Sequence, residues 1–169
     1  MGRWSVARAA LGLGLLMLML APASAAADKD KIKRGEYLAT IMDCGGCHTT
    51  GVFLGKPDPA KYLAGSEVGF QIPGLGIFYP PNLTPDPETG LGKWSEAEIV
   101  NAVRKGERPD GRILAPAMPY SHYGKLTDED AFALAAYLKS LKPVRNAAPA
   151  LVGPSETPKA PYLTVVMPQ

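Results

Sequence analysis

The sequence has 169 residues but only two cysteines and two histidines. Two cysteines allow one disulfide at most, which excludes a disulfide-stapled scaffold. A structural zinc site needs about four ligands, and only His48 stands near the cysteines, with His122 far along the chain. Charge of one sign is also lacking. The chain has 18 basic and 16 acidic residues, and without Arg3 and Arg8 the basic count falls to 16. A nucleic-acid partner or an anionic membrane would favour a concentrated basic patch, so neither is expected. Long apolar runs are missing too. The longest, from Ala10 to Ala21, is shorter than the roughly 20 residues that cross a bilayer. Preceded by Arg3 and Arg8 and followed by small residues at A-x-A spacing, it reads as a secretory signal peptide over 1–27, cut after Ala25 or Ala27. Neither cut is followed by cysteine, so no lipid anchor is expected. The expected location is the bacterial periplasm, with membrane association only through a partner or an uncleaved signal segment.

What the sequence does contain is Asp43-Cys44-Gly45-Gly46-Cys47-His48, a C-x-x-C-H run. Its spacing suits covalent haem attachment: two thiols add to the porphyrin vinyl groups, and the adjacent histidine ligates the iron. Glycines between the cysteines keep side chains off the backbone where it meets the haem edge. A dithiol redox motif would need a preceding strand, whereas the preceding residues read as helix. The motif occurs once, so one haem c is expected. The other axial ligand decides whether the iron is closed, favouring electron transfer, or open to small ligands. Met42, Met118 and Met167 remain after cleavage. Met42 is too close to Cys44 to reach the far face of the ring, and Met167 lies in a proline-rich tail. Met118 sits in Ala115-Pro116-Ala117-Met118-Pro119-Tyr120, where prolines lower the entropy lost on fixing the loop. His122 is the rival ligand, and core filling is the alternative role for Met118.

Three helices are expected. The first runs from Lys29 to Asp43, with Ile32, Leu38, Ile41 and Met42 on its apolar face. The second opens at the capping box Ser95-Glu96-Ala97-Glu98, buries Ile99, Ala102 and Val103, and ends at Gly106. The last starts at Thr127-Asp128-Glu129-Asp130, acids near its positive end, and buries Ala131, Leu134, Ala135 and Leu138. From Thr49 to Trp94 no helical period survives. Phe70-Gln71-Ile72 and Ile77-Phe78-Tyr79 flank Pro73-Gly74-Leu75-Gly76 as a candidate short β-hairpin. So long an irregular stretch is unusual in a compact domain unless a rigid apolar surface, here the porphyrin, supplies something to pack on. The expected organisation is a signal peptide (1–27), a haem domain (28–143) and a proline-rich extended tail (144–169), either a surface strap or loose.

The order helix, Cys44-Gly45-Gly46-Cys47-His48, irregular loop, methionine loop, helix resembles class I cytochromes c. Pro81-Asn82-Leu83-Thr84-Pro85-Asp86-Pro87-Glu88-Thr89-Gly90, then Trp94-Ser95, Met118-Pro119-Tyr120 and Leu126-Thr127-Asp128-Glu129-Asp130, is similar to haem domains in cytochrome subunits of bacterial alcohol and gluconate-type dehydrogenases. The resemblance covers about Asp28 to Pro143. It implies an all-α fold of three main helices around one haem, with Gly35 close to the last helix near Tyr137. It implies Met118 as the iron ligand opposite His48. It makes Trp94 a partner of a haem propionate, with Asn82 nearby; simple core packing is the other reading of Trp94. Those subunits string several such domains together and end in a membrane-binding segment. With one domain and no apolar C-terminal stretch, this chain is expected to be a free one-electron carrier and not an enzyme. Its expected partners are a dehydrogenase donor and an oxidase or other cytochrome acceptor. The alternatives are a small subunit of an oxidoreductase complex, or a haem enzyme or gas sensor with an open or histidine-ligated iron.

Overall fold

A computed structural model describes residues 21–168. Most of the expected signal peptide, residues 1–20, lies outside the described residues. Five helices occur among those described: α1 (Ala21–Ile41), α2 (Cys44–His48), α3 (Glu96–Lys105), α4 (Tyr120–Tyr123) and α5 (Asp128–Ser140). Three short strands join them: β1 (Gly69–Ile72), β2 (Gly76–Phe78) and β3 (Tyr162–Leu163). The all-α expectation is thus corrected to a helical fold with a small sheet of order β2-β1-β3.

Two helices form the frame, and a glycine lets them touch. A Cβ at Gly35 would run into the Ala133 carbonyl and come within 2.6 Å of the Tyr137 Cβ, so α1 and α5 meet backbone to backbone at that point. Leu38, Ala39 and Met42 continue the Gly35 face of α1 at helical spacing, and Leu38 and Ala39 are buried. Ile41, expected on that face, is 59% exposed because it lies a quarter-turn off the 35–38–39–42 row. On α5, Ala131, Leu134, Ala135 and Leu138 are all buried, as their spacing implies. Leu134, Ala135 and Leu138 share a core with Ile99, Leu63 and Leu91. α3 carries its capping box, with the Glu98 backbone N–H donating to Ser95 Oγ and the Ser95 N–H to the Glu98 carboxylate. It ends at Gly106 in the left-handed conformation. Thr127 caps α5 by accepting from the Asp130 N–H. α1 runs from Ala21, earlier than expected, so both candidate cleavage positions fall within it.

The stretch between His48 and Trp94 is irregular as expected, apart from the hairpin and two single turns of tighter 3₁₀ helix. The hairpin pairs Phe70 with Phe78 and Gln71 with Ile77. The proline-rich tail is a strap: Val152 bridges to Ile77, and Tyr162 and Leu163 pair in parallel with Gly69 and Phe70. Among the described residues no helix is long and apolar enough to cross a membrane.

Candidate haem-attachment site

The site begins at the end of α1. Asp43 takes a left-handed conformation (φ 54°), which asparagine and aspartate tolerate better than most residues, and this reverses the chain into α2. Its carboxylate then accepts from the Gly46 N–H at 3.2 Å and caps α2. A Cβ at Gly46 would strike the Asp43 carboxylate, and one at Gly45 would lie 2.9 Å from the Tyr62 ring.

On this short helix Cys44 and Cys47 stand one turn apart as free thiols, with His48 directly after. Burial pushes the Cys44 thiol up to about 11 and raises that of Cys47 as well. Reactive dithiol motifs have lowered thiol pKa values and follow a strand, so this pair, after a helix, is not of that kind.

His48 is buried, and its ring is oriented by a group that the sequence does not reveal. Its Nδ1 lies 2.8 Å from the Pro81 carbonyl oxygen. A carbonyl only accepts, so Nδ1 carries the proton and donates it, leaving Nε2 as a free lone pair. Desolvation lowers the His48 pKa, which keeps the imidazole neutral, the form that ligates metal. A hydrogen bond of this type fixes the tautomer and ring angle of a ligating histidine. The residues present therefore fit a covalent haem, with thiols at the right spacing and a neutral, oriented imidazole beside them. Such a group supplies an iron that changes oxidation state by one electron. Only the fold shows that the Pro81 carbonyl faces His48.

Met118 lies in a pinned loop. Its N–H donates to the Ala115 carbonyl at 2.9 Å, and its carbonyl accepts from Tyr120 at 2.8 Å. The loop is tied back where Leu114 donates to the Gly106 carbonyl at 2.7 Å. From α4, the Tyr123 hydroxyl donates to the Met42 carbonyl at 2.9 Å, joining the end of the methionine loop to the entry of the attachment helix. Burial, with the nearby cysteines, pushes the Tyr123 phenol up to about 12, so it remains a donor. Met118 is half-buried, His122 is exposed, Met42 packs against the core and Met167 is 77% exposed.

Trp94 packs against the core cluster, with the Arg108 guanidinium 5.2 Å from its ring centre. Asn82 is held by groups of the chain itself. Its Nδ2 donates to Thr89 Oγ1 at 3.0 Å and to the Val144 carbonyl at 2.7 Å, and its Oδ1 accepts from Thr84. Buried and paired in this way, it ties the loop to the strap.

The cytochrome c family model matches residues 32–142. The chain is 41% identical over 126 residues to the cytochrome c subunit of an alcohol dehydrogenase (quinone) from Gluconobacter oxydans (strain 621H), covering 73% of this chain and 24% of that protein. Against the fructose dehydrogenase cytochrome subunit of Gluconobacter japonicus the identity is 41% over 120 residues, covering 70% of this chain and 23% of the relative. The gluconate 2-dehydrogenase cytochrome c subunit of Pantoea cypripedii is 41% identical over 117 residues, covering 69% and 24%. The chain thus spans about a quarter of the length of these three relatives. The matched region contains the attachment helix, the orienting carbonyl and the methionine loop, and the chain belongs to the cytochrome c family.

Proposed function

We propose that this chain is a periplasmic one-electron carrier with a single haem c, joined through Cys44 and Cys47 and ligated by His48 and Met118. The observation that carries this reading is the buried, neutral His48, its Nδ1 proton held by Pro81 and its Nε2 free, directly after the two thiols. Each residue has a stated task. The thiols fix the ring, Pro81 orients the imidazole, and the proline-flanked loop presents the Met118 sulfur. A ligand on each face keeps coordination unchanged between oxidation states, which lowers reorganisation and suits electron transfer over catalysis. No side chain here needs to act as acid, base or nucleophile. The relatives are named as subunits of dehydrogenases, which favours a dehydrogenase as donor and a respiratory oxidase or another cytochrome as acceptor. The same names favour a second reading, a cytochrome subunit held in an oxidoreductase complex; a larger subunit co-purifying at fixed stoichiometry would select it.

The test is the near-infrared absorption of the oxidised protein beside Met118→Ala and His122→Ala variants. Wild type and His122→Ala should both show the weak band of methionine-ligated ferric haem, and Met118→Ala should lose it. If wild type has no such band, Met118 is not the ligand. If the band is absent and the His122→Ala spectrum differs from wild type, the ligand is His122.

A further inference from the structure

The strap that follows α5 lies beyond the matched family region, which ends at residue 142. Its first residues do more than cover the surface. Asn146 connects four segments around His48, its Nδ2 also lying 3.4 Å from Thr50 Oγ1. Its Nδ2 donates to the Ala64 carbonyl at 2.9 Å, and its N–H donates to Thr89 Oγ1 at 3.0 Å. Its carbonyl lies 3.3 Å from Asn82 Nδ2. Each segment leads directly to the histidine. Gly65, next to Ala64, donates to the His48 carbonyl at 2.8 Å. Asn82 follows Pro81, whose carbonyl takes the His48 Nδ1 proton. Thr89 is the shared acceptor that ties Asn82 to Asn146.

We infer that Asn146 is a positioning residue for the histidine side of the haem: the strap clamps the Pro81 carbonyl onto His48 Nδ1 and so sets how strongly that imidazole donates to iron. This inference rests on His48 being the axial ligand proposed above. A firm Nδ1–H···O bond makes the imidazole a stronger donor, which favours ferric iron. Loosening the clamp therefore raises the reduction potential and lets water reach the Nδ1 proton. The strap contributes through the loop and touches neither ligand itself.

The experiment uses the full-length, haem-loaded, reduced protein and reads exchange of the His48 Nδ1 proton by NMR, together with the potential. Asn146→Ala removes the Nδ2 bond to the Ala64 carbonyl, beside the Gly65 tie to His48, and should speed that exchange by about fivefold or more, the loss of roughly one net hydrogen bond, and raise the potential. Tyr79→Phe is the control, because it removes a different strap contact, the Tyr79 hydroxyl to the Ala160 carbonyl. It should leave both readings at wild type. Unchanged exchange in Asn146→Ala, or equal acceleration in both variants, overturns the inference, since the strap would then act only through general stability. If Asn146→Ala fails to load haem, the near-isosteric Thr89→Val cuts the other side of the clamp, the acceptor of the Asn82 Nδ2 and Asn146 N–H bonds, and must give the same signs. Wild-type His48 ring protons without the large ring-current shift of an axial ligand would bring down the proposed ligation itself. That outcome is distinct from normal shifts with unchanged exchange, which removes only the role of Asn146.

Discussion

The helical frame and the irregular stretch from Thr49 to Trp94 both contribute to the core, but different forces hold them. In the frame, α1, α3 and α5 meet through small and aliphatic side chains, and Gly35 lets two backbones touch. In the irregular stretch the order comes from single polar pairs: Leu63 N–H to Thr49 Oγ1, Thr50 Oγ1 to the Gly65 carbonyl, Val68 N–H to Ser66 Oγ. Backbone strain is divided the same way. Among the described residues, the non-glycine residues with positive φ are Asp43 and Leu63, on either side of the haem-attachment segment, and none lies within a frame helix. Side-chain-to-backbone pairs fix a loop only where something rigid lies beneath it. The frame supplies one side of that support, and the proposed haem the other.

Removing the haem gives the hardest test of this contrast. A Cys44→Ala/Cys47→Ala variant should lose its cooperative native-like melt altogether, because the irregular stretch then has no rigid surface on its open side. A thermal scan by circular dichroism decides it, and a sharp native-like transition would show that the frame alone organises the loop. The next largest effect comes from glycine. Gly35→Ala drives a methyl group into backbone and should cost about 3 kcal/mol, read as a lower denaturant midpoint at unchanged slope. Gly45→Ala meets only the ring of Tyr62, which is 40% exposed and can swing away, and should cost under about 1 kcal/mol. Equal costs would remove the distinction between a rigid frame and an adjustable loop.

The same division governs what the sequence makes legible. Helix α3 is readable residue by residue, from the Ser95 box through Ile99 and Ala102 to Gly106, because capping and periodicity are local rules. α5 is equally readable. α1 misleads at Ile41, since the decisive feature of its buried face is the missing side chain at Gly35, which no apolar count registers. The attachment motif is visible because its chemistry depends on spacing alone. The Pro81 carbonyl is not, because a backbone atom carries no sequence signature. Asn82 and Asn146 are equally hidden, since their partners lie up to 82 positions away. The tail reads as extended from its prolines, yet its pairing with β1 depends on an edge that exists only after folding.

The smallest expected effect concerns acid. Asp86 accepts three bonds on one oxygen, from the Glu88 N–H at 3.1 Å and from the Thr89 N–H and Oγ1 at 2.7 Å each. Those bonds, and Arg145 nearby, hold its carboxyl below the usual carboxylate range. A depressed pKa stabilises the fold above the ordinary carboxylate value of about 4, and that contribution is lost as pH falls through the depressed value. With its proton committed to Asp86, the Thr89 hydroxyl has its lone pairs free to accept from Asn82 and Asn146. Acidification below about pH 4 should therefore lower the protection of the Thr89 and Asn146 amides against exchange, taken relative to the intrinsic rate at each pH. Glu98 and Asp130 are depressed as well, by the Ser95 cap and by Arg34, and they lose their contribution in the same direction. They sit at helix ends, however, so interior amides of α3 and α5 remain held by apolar contacts. Asp86→Asn should flatten the pH response of the loop while that of the helix ends persists. If loop and helix interior loosen together in wild type, the two regions open as one unit, and the polar junction has no local stability of its own.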